Sequence, residues 1–207
     1  GKFKFKALPR LAQLSPSFGI IINDLDGDTI PDLYLAQNFY GPQPETGRMS
    51  GSLSTMLRGR GDGSFETLWP RDSGLLVPED GAATCLADVD GDNWPDILVA
   101  SNDGPLRSFL NKSRMRYPEN RMLRVTLRAN AGNPDAVGAR VTLILSDKAR
   151  RIAWVQAGSG YLSQSTGSLF FGLGDKSPET INVRWPEGTS TSHKVNNNRG
   201  NITISQP

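Results

Sequence analysis

One cysteine and one histidine stand in 207 residues. The lone cysteine, Cys85, excludes an internal disulfide. Thr84 and Leu86 flank it, which predicts a buried strand position where it acts as a small hydrophobe. The lone histidine, His193, lies in the polar stretch Thr191-Ser192-His193-Lys194 with no motif around it. A catalytic Cys–His pair therefore has no support. Ser159 sits in Gly158-Ser159-Gly160-Tyr161, which is not a G-x-S-x-G elbow, and no strand–turn–helix follows it. No run of about 18 apolar residues occurs, so no helical span crosses a membrane. The formal charge of only +2 excludes a strongly basic or acidic chain. It hides a split: residues 1–118 hold 12 Lys/Arg and 15 Asp/Glu, and residues 119–207 hold 11 and 6. The basic excess of the tail is spread over strands and carries no nucleic-acid motif. No signal peptide is visible, and the chain opens Gly1-Lys2-Phe3-Lys4 without an initiator Met. The expectation is a trimmed chain that has lost a targeting segment and earlier sheet units.

Glycine (22) and proline (14) are plentiful, scattered as in an all-β protein with many turns. Two copies of one nine-residue acidic loop stand out. The first is Asp24-Leu25-Asp26-Gly27-Asp28-Thr29-Ile30-Pro31-Asp32. The second is Asp88-Val89-Asp90-Gly91-Asp92-Asn93-Trp94-Pro95-Asp96. Each puts carboxylates at positions 1, 3, 5 and 9. Crowded carboxylates repel unless a cation sits among them, and alternating oxygen ligands on a tight turn suit Ca²⁺. The glycine permits the sharp turn. The predicted ligands are Asp24, Asp26, Asp28 and Asp32 with the Ile30 carbonyl, and Asp88, Asp90, Asp92 and Asp96 with the Trp94 carbonyl. Two calcium sites follow. An EF-hand is excluded because position 12 is Leu35 or Val99 rather than Glu. The apolar flanks Ile20-Ile21-Ile22, Leu33-Tyr34-Leu35, Cys85-Leu86-Ala87 and Ile97-Leu98-Val99 make each loop a strand–loop–strand turn.

The loops recur 64 residues apart. Each is followed by a strand, an Asn-containing turn (Asn38; Asn102), and a further strand bearing an arginine (Arg58; Arg107). Gly61-Asp62-Gly63 marks a hairpin turn in the first copy. Arg60-Gly61-Asp62 is also an RGD tripeptide, for which the turn reading is the stronger. A unit of this size with about four short strands suggests propeller blades. Residues 39–53 form a long insert in the first unit. These features resemble FG-GAP/VCBS repeats, the blades of integrin-α-type β-propellers, across residues 15–112. The resemblance implies that the acidic loop binds Ca²⁺ and rigidifies the blade.

The tail alternates apolar and polar residues with period 2. The runs are Met122–Arg128, Ala139–Leu145, Ile152–Gln156 and Ile181–Trp185, separated by turn signals such as Asn133-Pro134-Asp135. Seven or eight short strands predict a β-sandwich. Val137-Gly138-Ala139-Arg140-Val141, Gly158–Ser165, Phe171-Gly172-Leu173-Gly174 and Val183–Gly188 resemble an ASPIC/UnbV domain, a module of surface and secreted proteins. That resemblance implies an extracellular or cell-envelope setting and no defined reaction.

The expected architecture is all-β. Two propeller-blade-like repeats, a partial propeller, fill residues 1–118, and a C-terminal β-sandwich over residues 119–207 docks against the second repeat. The expected function is a calcium-binding extracellular adhesion or interaction module with structural calcium and no intrinsic catalysis. Its partner is a protein or glycan. The alternative is an accessory or carbohydrate-binding part of a secreted polysaccharide-processing enzyme, with Trp154, Tyr161 and Trp185 as a stacking platform. Asn111-Lys112-Ser113 and Asn201-Ile202-Thr203 are glycosylation sequons.

Overall fold

A computed structural model describes residues 2–47, 51–195 and 200–207. Part of the insert, residues 48–50, lies outside the described residues. In β1 (Ser17–Asn23), Gly19 and Ile21 are buried while Ile20 and Ile22 face out, as period-2 alternation requires. β1 pairs with β2 (Asp32–Gln37), which is buried along its length, then β3 (Thr55–Gly59) and β4 (Phe65–Leu68) complete a four-stranded antiparallel sheet. The β3–β4 hairpin turns at Gly61 and Gly63, both at positive φ, as the Gly-Asp-Gly signal predicts. There Asp62 Oδ1 accepts the Ser64 amide at 2.8 Å, and Arg60 pairs with Glu66 at 3.1 Å.

The second unit is β5 (Gly81–Ala87), β6 (Asp96–Ser101) and β7 (Arg107–Phe109), a sheet of three strands rather than four. After Phe109 the chain forms a short helix, Ser113–Arg116, where the first unit makes its fourth strand. The two sheets share a core of Ile21, Leu25, Tyr34, Met56, Val77, Leu86, Ile97 and Val99. The other face of the first sheet buries Leu33, Leu35 and Leu57 under Ala12 of an N-terminal 3-10 turn.

The tail folds as two sheets around one apolar core. One is β10 (Arg150–Trp154), β9 (Arg140–Leu145), β12 (Pro178–Arg184) and β13 (Ser190–Lys194); the other is β11 (Leu169–Gly172), β8 (Met122–Arg128) and β14 (Asn201–Ser205). β14 runs parallel to β8, the one parallel pairing among the described strands. Inward residues of both sheets, among them Val125, Val141, Leu143, Ile181, Val183 and Trp185, make the core.

The tail lies along β5. The Thr166 amide donates to the Leu86 carbonyl at 2.9 Å, and the Ser163 hydroxyl donates to the Thr84 carbonyl at 2.8 Å. A small apolar cluster of Trp94, Met122 and Phe170 closes the seam beside the second acidic loop. Cys85 is on β5 as its neighbours suggest, but it is only partly buried, because the inward positions of that strand are Thr84 and Leu86. His193 is on β13, in a different sheet, with Nε2 on its neighbour Thr191.

Candidate metal centres at the repeat–tail seam

Each acidic loop joins two strands that turn back on each other, β1 to β2 and β5 to β6. Backbone amides fold both copies alike with one exception: the Gly27 amide donates to Asp24 Oδ1 at 2.7 Å, and Asp88 Oδ1 takes no such bond. The Thr29 amide donates to Asp24 Oδ2 at 2.7 Å, and Asn93 donates to Asp88 Oδ2 at 3.1 Å. Ile30 and Trp94 amides donate to Asp28 Oδ1 and Asp92 Oδ1 at 2.8 and 2.9 Å. Gly27 and Gly91 share φ 76°, and position 6 is also left-handed, with φ 81° at Thr29 and 70° at Asn93. These Asx-type bonds satisfy the amides of a turn too tight for sheet pairing. They also gather the carboxylates of Asp24, Asp26 and Asp28, and those of Asp88, Asp90 and Asp92, so that one oxygen from each lies within 4.8 Å of the others.

The position-9 carboxylates are engaged with the backbone. Asp32 Oδ2 accepts the Leu25 amide at 3.0 Å and Oδ1 accepts the Gly59 amide at 2.9 Å. Asp96 repeats this with Val89 and Asn111, both at 2.7 Å. Each closes its loop and clamps it to the chain two strands on, at the end of β3 and just past β7. The grouped carboxylates are thus positions 1, 3 and 5, while Asp32 and Asp96 stand beside the groups as loop fasteners. The chain at Ile30 and Trp94 is fixed through its amides.

The electrostatics ask for positive charge. Burial, followed by the neighbouring Asp28, pushes the Asp24 carboxyl up to about 8 from an ordinary 3.8. Burial pushes Asp32 up to about 7 against the pull of its two amide bonds. Asp26 and Asp92 are raised by burial as well. Asp90 is held low by its hydrogen bond from Lys112. Among the described residues, Asp88 Oδ1 and Asp92 Oδ2 are buried oxygens with no hydrogen-bond partner. Buried acceptors without donors are costly, so the donor set fits a hard divalent cation taking several oxygens. Bound there, such an ion supplies charge neutralisation and fixes the turn.

Residues beyond the loop motif complete the arrangement. Arg58 reaches Asp26 at 2.8 Å and Asp28 at 3.6 Å. Its sequence counterpart Arg107 pairs with Glu79 instead. Arg124, on β8 of the tail, donates to Asp88 Oδ2 at 2.6 Å. The Asn111 side-chain amide donates to the Leu25 carbonyl at 2.8 Å and the Pro95 carbonyl at 3.1 Å, tying the two loops together. Its sequon is therefore occupied by structure, because a glycan on that nitrogen takes one of the two hydrogens these bonds use. The tail presses on the first loop: the Gly174 amide donates to the Gly27 carbonyl at 2.8 Å, and Asn120 Nδ2 donates to the Asp26 carbonyl at 2.9 Å. A Cβ on Gly27 would meet the Trp94 ring at 2.9 Å, so the two loops touch. Spacing alone picks out the loop aspartates. The repeated arginine signals Arg58, and no local signal marks Asn111 or Arg124.

The aromatic platform does not form. Trp185 is 1% exposed in the sandwich core, with its indole N–H on Thr191, so it offers no ring face to a sugar. Trp154 is 52% exposed on β10, and Tyr161 packs on Phe18 with ring centroids 5.4 Å apart.

Residues 24–99 match the FG-GAP-like repeat family, and residues 129–207 match ASPIC and UnbV. Cartilage acidic protein 1 of Homo sapiens is 28% identical over 201 residues, covering 94% of this chain and 29% of that protein. The Mus musculus protein of the same name is 28% identical over 201 residues, covering 94% and 30%. The Xenopus tropicalis protein is 29% identical over 202 residues, again covering 94% and 30%. The chain spans less than a third of the length of these relatives. It is an FG-GAP-like repeat region followed by an ASPIC and UnbV domain, distantly homologous to cartilage acidic protein 1.

Proposed function

We propose that this chain is a calcium-stabilised, non-catalytic interaction module that works outside the cell, where millimolar calcium keeps weak oxygen-ligand sites filled. One observation carries the reading: two triads of aspartates converge in equivalent turns, each within 4.8 Å. Calcium here is structural. Its ligands at positions 1, 3 and 5 are drawn from one turn, so the ion removes their repulsion and holds the strand ends in register. Because the first loop also meets the tail through the Gly174 and Asn120 bonds, an ion there favours the docked arrangement of repeats and tail. The carboxylates are consumed in holding the ion, which leaves them without a part in acid–base chemistry. The partner is a protein or a glycan.

Thermal unfolding of chelator-treated protein, with and without added Ca²⁺, tests the reading. A ligand that binds only the folded state adds RT ln(1 + [L]/Kd), about 2.7 kcal/mol at a hundredfold excess over Kd. The expected outcome is a melting temperature that rises with Ca²⁺ and fails to rise in an Asp24→Asn/Asp88→Asn variant. Identical melting curves with chelator and with millimolar Ca²⁺ would remove the basis of the proposal.

A further inference from the structure

The two loops share their backbone geometry but not their surroundings. Among the described residues, the first loop meets a single cationic side chain, Arg58, which reaches Asp26 and Asp28. Asp24 and Asp32, both buried, bond only to backbone amides. The second loop meets three cations: Lys112 on Asp90 at 2.6 Å, Arg114 on Asp92 at 3.8 Å and Arg124 on Asp88 at 2.6 Å. Each loop carries four carboxylates. With every carboxylate ionised, as a bound cation requires, the local charge is about −3 in the first and −1 in the second, counting nearest charges at close range.

The second loop still has oxygens to offer. The Asp88 side chain is 1% exposed and its Oδ1 has no hydrogen-bond partner; the Asp92 side chain is 10% exposed and its Oδ2 has none either, facing only Arg114 Nε at 3.8 Å. These atoms take a cation without breaking any hydrogen bond. What opposes the cation is charge. Lys112 and Arg114 have about half of their side chains exposed and can swing into solvent. Arg124 is held more firmly, because its Nε also donates to Ser168 Oγ at 3.2 Å.

We propose that the loops fill in order: the first takes a divalent cation tightly and the second weakly, because Arg124 of the docked tail already neutralises Asp88. The inference rests on the metal-binding reading above and adds a link to it. A divalent cation and a guanidinium attached to the same carboxylate repel each other, so the tail that completes the seam also lowers the affinity of the site beneath it. By reciprocity, an ion in the second loop weakens the Arg124 tie.

Calorimetric titration of the metal-free chain with Ca²⁺ tests this. The expected result is two classes of site separated by roughly tenfold or more in Kd, as the difference in local charge requires. Asp24→Asn removes the tight class and Asp88→Asn removes the weak one. Arg124→Gln tightens the weak class by about tenfold. Lys112→Gln/Arg114→Gln, a change on the exposed rim, tightens it in the same direction and carries the test if Arg124→Gln fails to fold. Equal classes, loss of the tight class in Asp88→Asn, or a weak class left unchanged or weakened in folded Arg124→Gln overturns the ordering. Absence of binding at both loops is a different outcome: it removes the metal reading itself.

Discussion

Gly172 of β11 lies against the carboxylate of Asp24, with a Cβ at position 172 coinciding with Asp24 Oδ2. A tail residue and a loop aspartate from distant parts of the chain are thus in van der Waals contact. The Phe171-Gly172-Leu173-Gly174 block has a steric reason: its first glycine makes room for the Asp24 carboxylate, and the amide of its second holds the Gly27 carbonyl.

Gly172→Ala tests that contact. The methyl group displaces Asp24 or pushes the tail from the first loop, at a cost of about 1–3 kcal/mol, as overpacking does. Urea unfolding is expected to show this loss, and calorimetry a weakened Ca²⁺ response. Gly132→Ala, where a Cβ meets nothing within 4 Å, is expected to leave both unchanged.

Position 6 of the two loops offers a comparison within one chain. Thr29 holds φ 81° and Asn93 holds φ 70°. Left-handed backbone is strained for a β-branched residue and tolerated by Asn. Thr29→Asn is expected to stabilise the protein by about 1 kcal/mol, and Asn93→Thr to destabilise it by a similar amount. Denaturant midpoints check both; a loss of stability in Thr29→Asn would show that the threonine side chain contributes more than its backbone strain costs.

Trp94 joins three parts of the molecule, packing with Met122 and Phe170 of the tail and covering Gly27 of the first loop. Trp94→Ala is expected to cost about 3–5 kcal/mol. Faster hydrogen exchange is expected in Met122–Arg128 and Leu169–Gly172, with little change in β12. Uniform acceleration across the tail would mean that the seam is not where the residue acts.

Burial pushes the Cys85 thiol up from its ordinary 9.0. The thiolate is the reactive form, so alkylation at neutral pH is expected to be slower than for an unhindered thiol. The rate is expected to keep rising with pH where that of a free thiol has levelled. Rapid modification at neutral pH would contradict the burial and reopen a chemical role for this residue.

Local pattern carried much of this to the surface. Four aspartates and a glycine at fixed spacing dictate a loop whose amides must bond to its own carboxylates, so both loops form wherever the flanking strands let them. Period-2 alternation fixes which residues of β8, β9 and β12 face a core, and Trp185 follows its strand partners inward although its ring could have been read as a ligand face. The three-stranded second sheet was not legible. The strand bearing Arg107 suggests a fourth strand after it by analogy with the first unit, but the chain instead makes the helix Ser113–Arg116 and spends the Asn111 side-chain amide on the first loop.

By itself the sequence determined the all-β architecture, the two repeated turns and the carboxylates that converge in them, because alternation, glycine at positive φ and Asx bonding act over a few residues. Only the tertiary structure decided that these turns lie at the seam with the tail. Asp24 faces Gly172 across 148 positions and Asp88 meets Arg124 across 36. Such contacts follow from sheet packing and have no period in the chain. They set the charge around each loop, and so make two nearly identical motifs chemically unequal.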